Sequence, residues 1–102
     1  MKFVQTIRFS TTRIDEIQAM SDQYDRESGG DAPGFLGARV LKDRDQDNDY
    51  MIVAEFESYE QAMENSARPE TDAFARRMGE LVDGEVAYGN YDVVEEMGPS
   101  AG

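Results

Sequence analysis

The chain has 102 residues, 39% of them apolar, with 22 acidic and 10 basic side chains and a net charge of −12. This length fits one domain. The acidic excess argues against nucleic acid and anionic membrane surfaces as partners, because both require clustered lysine and arginine. Cysteine and histidine are absent, which excludes disulfides, thiolate nucleophiles and every Ser-His or Cys-His catalytic arrangement.

The N-terminal segment predicts a strand followed by a helix. Residues 2–10 alternate between large apolar and polar side chains, as in a half-buried strand. The same segment is too short and too polar for a secretory signal, and no stretch approaches the roughly 18 apolar residues of a membrane span. We therefore expect a cytoplasmic protein. Thr11 or Thr12 is expected to begin the helix. Its apolar stripe, ended by the glycine pair at 29–30, comprises Ile14, Ile17, Met20 and Tyr24.

The middle of the chain predicts two strands that form a hairpin. They cover residues 35–42 and 50–57, and the acidic segment 43–49 forms the exposed loop between them. This loop lacks the glycine and glutamate that a calcium-binding EF-hand carries at its sixth and twelfth positions, where Asn48 and Ala54 stand. No glycine-rich loop of the phosphate-binding type is present either. We expect neither a metal nor a cofactor.

The C-terminal half predicts an interrupted helical region and a last strand. Ser58 and Gln61 have the spacing of a capping box, and Pro69 suits the first position of a second helix. Residues 85–94 predict the strand, and residues 95–102 a flexible tail. The buried stripe of the second helix, which we expect to stop at Gly84, comprises Phe74, Met78 and Leu81.

This order of elements predicts an α+β, ferredoxin-like βαββαβ fold in a single domain over residues 1–94. Helices cover one face of the antiparallel sheet, and no element remains to cover the other. Depending on register, that other face presents Val4, Leu36, Ala38, Val40, Met51, Val53, Val86 and Val94. An apolar sheet face without cover predicts a homodimer that packs sheet against sheet.

Three segments carry a family resemblance: PGFLGARVLKD at residues 33–43, VAEFESYEQA at 53–62 and PETDAFARRM at 69–78. Together with the element order, they resemble the dimeric α/β-barrel superfamily and, within it, the antibiotic biosynthesis monooxygenase-like domain. The resemblance implies a homodimer in which each subunit holds a substrate pocket between sheet and helices. It also implies activities such as cofactor-independent oxidation of polycyclic quinols.

The resemblance does not extend to the haem-degrading members of that superfamily. Those proteins place an asparagine on the first strand, and a tryptophan and a histidine ligand in the second helical region. The corresponding positions of the asparagine and the histidine hold Ile7 and Met78 here, and the chain has no tryptophan.

Three polar side chains are candidates for the chemistry. The amide of Asn65 can donate a hydrogen bond to a developing oxyanion; alternatively it satisfies backbone groups at a helix end. Arg39 lies in the middle of a strand and can fix a phenolate or carboxylate; alternatively it pairs with Glu55 on the adjacent strand, or its head group reaches solvent. Tyr88 and Tyr91 point to opposite faces of the last strand, and Tyr88 is our candidate for a pocket hydroxyl, with simple packing as the alternative.

Four residues are candidates for substrate binding: Gln5, Ile7, Phe74 and Met78. Gln5 and Ile7 share the strand face that we assign to the helix side, where a polar residue either lines a pocket or meets water at an edge. Phe74 and Met78 lie on the stripe of the second helix. In a structural alternative, these apolar side chains and Phe3 fill the pocket themselves.

We therefore predict a cofactor-independent monooxygenase-like protein for a small aromatic of the quinol or anthrone type. Asn65, Arg39 and Tyr88 hold the substrate anion, which itself reduces dioxygen. Without histidine, the base is a carboxylate or the substrate's own acidity. The alternative is a non-catalytic dimer that binds a small hydrophobic molecule. An open pocket in which Asn65 and Arg39 converge is expected in both cases.

Overall fold

The computed structural model describes residues 1–28 and 32–99 of the chain. The strands described are β1 (Phe3–Ser10), β2 (Phe35–Lys42), β3 (Asp49–Phe56) and β4 (Asp83–Asp92), and the helices are α1 (Ile14–Ser28), α2 (Tyr59–Ser66) and α3 (Pro69–Leu81). Their order confirms the predicted βαββαβ arrangement, with the second helical region divided in two. The glycine pair expected to end α1 lies outside the described residues. None of the described helices has the length and apolar character needed to cross a membrane.

The sheet has the strand order β2-β3-β1-β4, and all neighbouring strands are antiparallel. In the central strands Ile7 lies opposite Ile52 on β3 and opposite Tyr88 on β4. Side chains of a strand alternate between the two faces, so these three residues share one face. The helices pack on that face, which we call the inner face; the other is the open face.

Two apolar clusters fill the space between the inner face and the helices. The first has a buried centre formed by Phe9, Ile17, Ile52 and Met78. The second has a buried centre formed by Phe3, Phe56 and Ala62. Strands β1 and β3 contribute to both clusters, which explains why these two strands occupy the centre of the sheet.

Local side-chain chemistry sets where the later helices begin. The hydroxyl of Ser58 accepts a hydrogen bond from the backbone N–H of Gln61 (3.2 Å) and caps α2, as the sequence predicted. Pro69 occupies the first turn of α3. Gly34 adopts a positive φ of 63° just before β2, and its carbonyl accepts a hydrogen bond from Glu57 (2.8 Å). A β-carbon at Gly34 would collide with the Gln61 side chain.

Helices α1 and α3 are joined at both ends by hydroxyl groups. Just before α1, the Thr11 hydroxyl donates to the carbonyl of Leu81 at the end of α3 (2.6 Å). Near the other end, the hydroxyls of Tyr24 on α1 and Thr71 on α3 are 2.8 Å apart. The two helices therefore run antiparallel, with a hydrogen bond at each end of the pair.

The predicted membership of the open face was wrong for Ala38, Val40 and Val86, and two further predicted members are not part of it: Leu36 is the unpaired residue of a bulge, and Val94 lies beyond the end of β4. Ala38 and Val40 lie opposite Ala54 and Ile52 on the inner side, and Val86 packs against the first core cluster. The physical reason for β2 is a bulge between Phe35 and Gly37, where one extra residue shifts the register with β3. A shift of one residue exchanges the two faces of everything that follows it.

The register places polar as well as apolar side chains on the open face. From β2 to β4 this face comprises Arg39, Leu41, Met51, Val53, Glu55, Val4, Thr6, Arg8, Ala87, Gly89 and Tyr91. Tyr91 and Leu41 are exposed there. No described element covers this face. The chain thus leaves a mixed surface of apolar side chains and two arginines where an apolar face was predicted.

Candidate functional site

A row of three polar side chains joins the three helices. The Tyr24 hydroxyl of α1 lies 2.8 Å from the Thr71 hydroxyl of α3, which in turn donates to Oδ1 of Asn65 on α2 (3.4 Å). A threonine hydroxyl has one proton and the asparagine carbonyl only accepts. Tyr24 is therefore the donor to Thr71. We call Tyr24, Thr71 and Asn65 the helix-layer row.

The side chain of Asn65 is thus held by another side chain and not by backbone groups at the helix end. It is half-buried, and among the described residues its NH2 group forms no hydrogen bond. Phe74 lies beside the row, with its ring centre 5.1 Å from that of Tyr24. An amide donor next to aromatic surface suits a ligand that is aromatic and carries an oxygen.

A second group of candidates lies on the inner face of β1 and β4. The side-chain amide of Gln5 donates to Oδ1 of Asn90 across the two strands (3.4 Å). Next along the strands, Ile7 lies opposite Tyr88, whose side chain is 59% exposed. Gln5 therefore lies on the inner face, as predicted, and Tyr88 lies on the same, helix-covered side of the sheet. We call Gln5, Ile7, Tyr88 and Asn90 the β1–β4 strip.

The helix-layer row and the β1–β4 strip lie on the same side of the sheet, and each is connected to the first core cluster through one apolar side chain. Ile7 of the strip and Phe74 beside the row both pack against the first core cluster. Met78 lies within that cluster and is only 3% exposed, and Phe3 is equally buried in the second cluster. These two side chains fill space, as in the structural alternative, whereas Ile7 and Phe74 keep accessible surface.

Arg39 lies on the opposite side of the sheet from Asn65. It is exposed on the open face, opposite Val53 of β3. The expected convergence of Arg39 and Asn65 therefore does not occur within one chain. The alternative pairing with Glu55 is not formed either: that carboxylate lies 4.0 Å from Lys2, and Arg39 has no ion pair within the described part of the chain.

Two surface depressions lie at the ends of the strands. One, of about 410 Å³, lies against Arg8, Tyr50 and Met51; the other, of about 480 Å³, lies against Phe3 and Tyr59. Neither is lined by the helix-layer row. In residues 1–28 and 32–99, no group of His, Cys, Asp and Glu side chains is arranged to hold a metal ion.

Sequence reasoning missed Asn90 and Thr71 as parts of the candidate site. A signal existed for Asn90, since it alternates with Tyr88 on the last strand and an antiparallel partner strand brings it to Gln5. No comparable signal existed for Thr71. Its contact with Asn65 depends on the direction that α3 takes relative to α2 after the break at Pro69.

The four-stranded antiparallel sheet with helices on one face defines a ferredoxin-like α+β protein. The chain belongs to the antibiotic biosynthesis monooxygenase family, whose sequence model matches residues 3–77. No curated protein matches the sequence. Many solved structures share the fold, and three illustrate how widely it occurs.

A mutant of SnoaB, a cofactor-independent oxygenase from Streptomyces nogalater, is 18% identical, with a TM-score of 0.81 over 94% of this chain and 96% of that one. Rv0793 from Mycobacterium tuberculosis is 15% identical, with a TM-score of 0.78 over 96% of this chain and 100% of that one. A conserved protein from Methanosarcina mazei Go1 is 10% identical, with a TM-score of 0.78 over 89% and 91%. At such identities the likeness concerns the fold alone.

Proposed function

We propose that the chain is a cofactor-independent monooxygenase-like protein that binds a small quinol or anthrone between the inner face and the helices. Family membership supports an oxygenase, and SnoaB, a protein of the same fold, is a cofactor-independent oxygenase. The observation that carries the proposal is the state of Asn65. Its amide oxygen accepts from Thr71, and its NH2 group forms no hydrogen bond within residues 1–28 and 32–99, which leaves it to a ligand in this proposal.

The chemistry needs an anion, and the amide is suited to stabilise one. Loss of a proton from an anthrone gives a carbanion whose charge gathers on the ring oxygen. A hydrogen bond from the Asn65 NH2 group to that oxygen favours the charged form. The anion passes electrons to dioxygen; a methylene group and dioxygen become a carbonyl group and water. The substrate is the reductant. The proton that it loses is released because of the substrate's own acidity or is accepted by a carboxylate.

The other candidates have supporting places in this scheme. Tyr88 and Gln5 present polar groups from the sheet, while Ile7 and Phe74 supply apolar surface for the rings. Met78 contributes indirectly, since it belongs to the buried cluster against which Phe74 packs. Arg39 is on the open face, so it contributes to a site only through a second subunit.

The partner that we propose is a second copy of the chain, bound through the open face. Tyr91 is the largest exposed apolar side chain on that face, and exposed tyrosines are frequent anchors of interfaces. The structure offers a matched control, since Tyr88 is on the same strand and equally exposed, at 59%, but on the inner face. In sedimentation velocity, Tyr91→Ala is expected to shift the protein toward monomer and Tyr88→Ala to leave the dimer intact. Equal behaviour of the two variants would argue against this interface.

The proposed activity is tested by oxygen uptake with dithranol, a dihydroxyanthrone. The unmodified protein is expected to raise uptake above the rate of spontaneous oxidation. Asn65→Asp keeps the shape of the side chain but replaces the NH2 donor by a charged oxygen. We expect kcat to fall on the order of 100-fold, the usual effect of losing an oxyanion donor. Asn48→Asp adds the same charge in the exposed hairpin loop and is expected to change nothing. If the protein does not accelerate uptake, or if both variants remain active, the proposal is wrong.

One feature of the sequence favours a second function, a binding protein without turnover. Histidine is absent from the whole chain, so no side chain has an ordinary pKa near neutral pH for use as a base. A thermal-shift assay separates the two functions. Dithranol at about 100 times its dissociation constant is expected to stabilise the protein by about 2.7 kcal/mol in both cases, but only the enzyme accelerates oxygen uptake.

A further inference from the structure

The direction of the hydrogen bonds in the helix-layer row decides which end of the Asn65 amide is available. Thr71 donates to Oδ1, so the NH2 group is the end left for a ligand. If the amide were rotated by half a turn, the NH2 group would meet Thr71 and only an acceptor would be left. An acceptor would repel the substrate anion. The function proposed above therefore needs one of the two orientations.

We propose that Thr71 and Tyr24 are positioning residues that hold the Asn65 amide with its NH2 group toward the substrate; this inference rests on the proposed function. The Thr71 hydroxyl has one proton, which it donates to Oδ1 of Asn65, so in the 2.8 Å contact between the two hydroxyls Tyr24 is the donor and occupies the threonine oxygen. The amide thus presents its carbonyl to Thr71, and in this proposal the Tyr24 hydroxyl keeps the Thr71 hydroxyl turned toward Asn65.

The surroundings of the row hold both positioning residues in place. The ring of Tyr24 contacts the ring of Phe74, one helical turn beyond Thr71 on α3. At the break between α2 and α3, the backbone N–H of Arg68 donates to the carbonyl of Asn65 (3.1 Å), and that of Thr71 donates to the carbonyl of Arg68 (3.1 Å). The two ends of the break are thus connected, and the Thr71 hydroxyl has a fixed relation to the amide.

The orientation of the amide is measured directly by NMR, without any substrate. The chain has three asparagines, Asn48, Asn65 and Asn90, so asparagine-selective 15N labelling gives three pairs of NH2 signals. The pair that disappears in Asn65→Ala belongs to Asn65. In Thr71→Val, which replaces the hydroxyl by a methyl group, this pair is expected to move toward the position of the exposed Asn48 pair. In Thr71→Ser, which keeps the hydroxyl, it is expected to stay. Tyr24→Phe is expected to move it in the same direction as Thr71→Val.

Kinetics with dithranol then show whether this orientation matters for turnover. A donor that acts on the developing anion affects kcat more than KM. Thr71→Val is therefore expected to lower kcat by about 3- to 10-fold, the value of one hydrogen bond, with a smaller change in KM. Thr71→Ser is expected to restore kcat. Thr12→Val, in the exposed segment before α1, makes the same substitution outside the row and controls for general effects.

The outcomes separate this inference from the proposed function. Unchanged Asn65 signals in both Thr71→Val and Tyr24→Phe would overturn the positioning role, whatever the activity. Equal loss of kcat in Thr71→Ser and Thr71→Val would also overturn it, since a merely structural role does not distinguish the two. If the unmodified protein does not turn over dithranol but the Asn65 signals respond as expected, the proposed function fails and the positioning of the amide stands.

Discussion

Thr11 offers a sharp test of how the helix layer is held above the sheet. It is fully buried, and its hydroxyl donates to the carbonyl of Leu81 (2.6 Å) and accepts from the backbone N–H of Arg13 (2.9 Å). Thr11→Val keeps the size of the side chain and removes both hydrogen bonds. A buried polar group left unpaired costs about 1–3 kcal/mol. We therefore expect the free energy of unfolding to fall by about 2–4 kcal/mol.

Urea unfolding followed by circular dichroism, at one fixed protein concentration, measures this loss. Thr11→Ser keeps the hydroxyl and loses one buried methyl group, so it is expected to cost about 1 kcal/mol. Thr12→Val makes the same change as Thr11→Val at the next, exposed residue and is expected to have little effect. The reasoning is refuted if Thr11→Val is no less stable than Thr11→Ser, because the methyl group and not the hydroxyl would then be what matters.

Three further substitutions test other contacts. Gly89→Ala is expected to destabilise the protein by about 1–3 kcal/mol in urea unfolding, because its β-carbon would lie 2.7 Å from the ring of Tyr91; an unchanged midpoint would contradict this. Gly79→Ala meets nothing within 4 Å in α3 and is expected to stabilise the fold by about 0.4–1 kcal/mol, so a loss of stability would count against it. Glu16→Gln is expected to lower Tm at neutral pH, since the hydrogen bond from Arg13 lowers the pKa of Glu16. A carboxylate with a lowered pKa stabilises the fold above its unfolded pKa, and this is lost as pH falls. The difference in Tm should vanish well below the ordinary value of 4.5, and a difference that persists there would exclude this cause.

The element order was predictable because each element carries its own local signal. The alternation in residues 2–10, the cap at Ser58 and the proline at 69 all act within a few residues, and the structure confirms them. The face of the sheet on which each side chain lies was less predictable. The bulge at Leu36 exchanges the two faces of β2, and nothing within the strand's own pattern of apolar residues marks it. The end of α3 was also misplaced: the helix ends at Leu81, and Gly84 already belongs to β4.

The residues of the candidate site show the same difference between local signals, which were predictable, and long-range packing, which was not. Gln5 was assigned to the correct face, and Tyr88 and Tyr91 lie on opposite faces as expected, because strand alternation is a local rule. Arg39 was expected to meet Asn65, but the bulge earlier in β2 turns it to the open face. Thr71 was not expected at all, because its contact with Asn65 depends on the angle between two helices, which sequence spacing does not encode.

The hydrogen bonds of the helix layer have a consequence for how the site responds to change at a distance. Thr11 and the Tyr24–Thr71 contact tie α1 to α3 at opposite ends of the pair. Among the described residues, the hydrogen bond to the Asn65 amide comes from the second end. Thr11→Val loosens the first end and is therefore expected to lower stability while the helix-layer row keeps its geometry. Thr71→Val removes the hydroxyl that contacts the Asn65 amide and is expected to change the orientation of that amide. Stability and activity are expected to separate in these two variants, which are chemically the same change. A variant of Thr11 that disturbed the Asn65 NH2 signals as much as Thr71→Val would show that the helix layer moves as one unit.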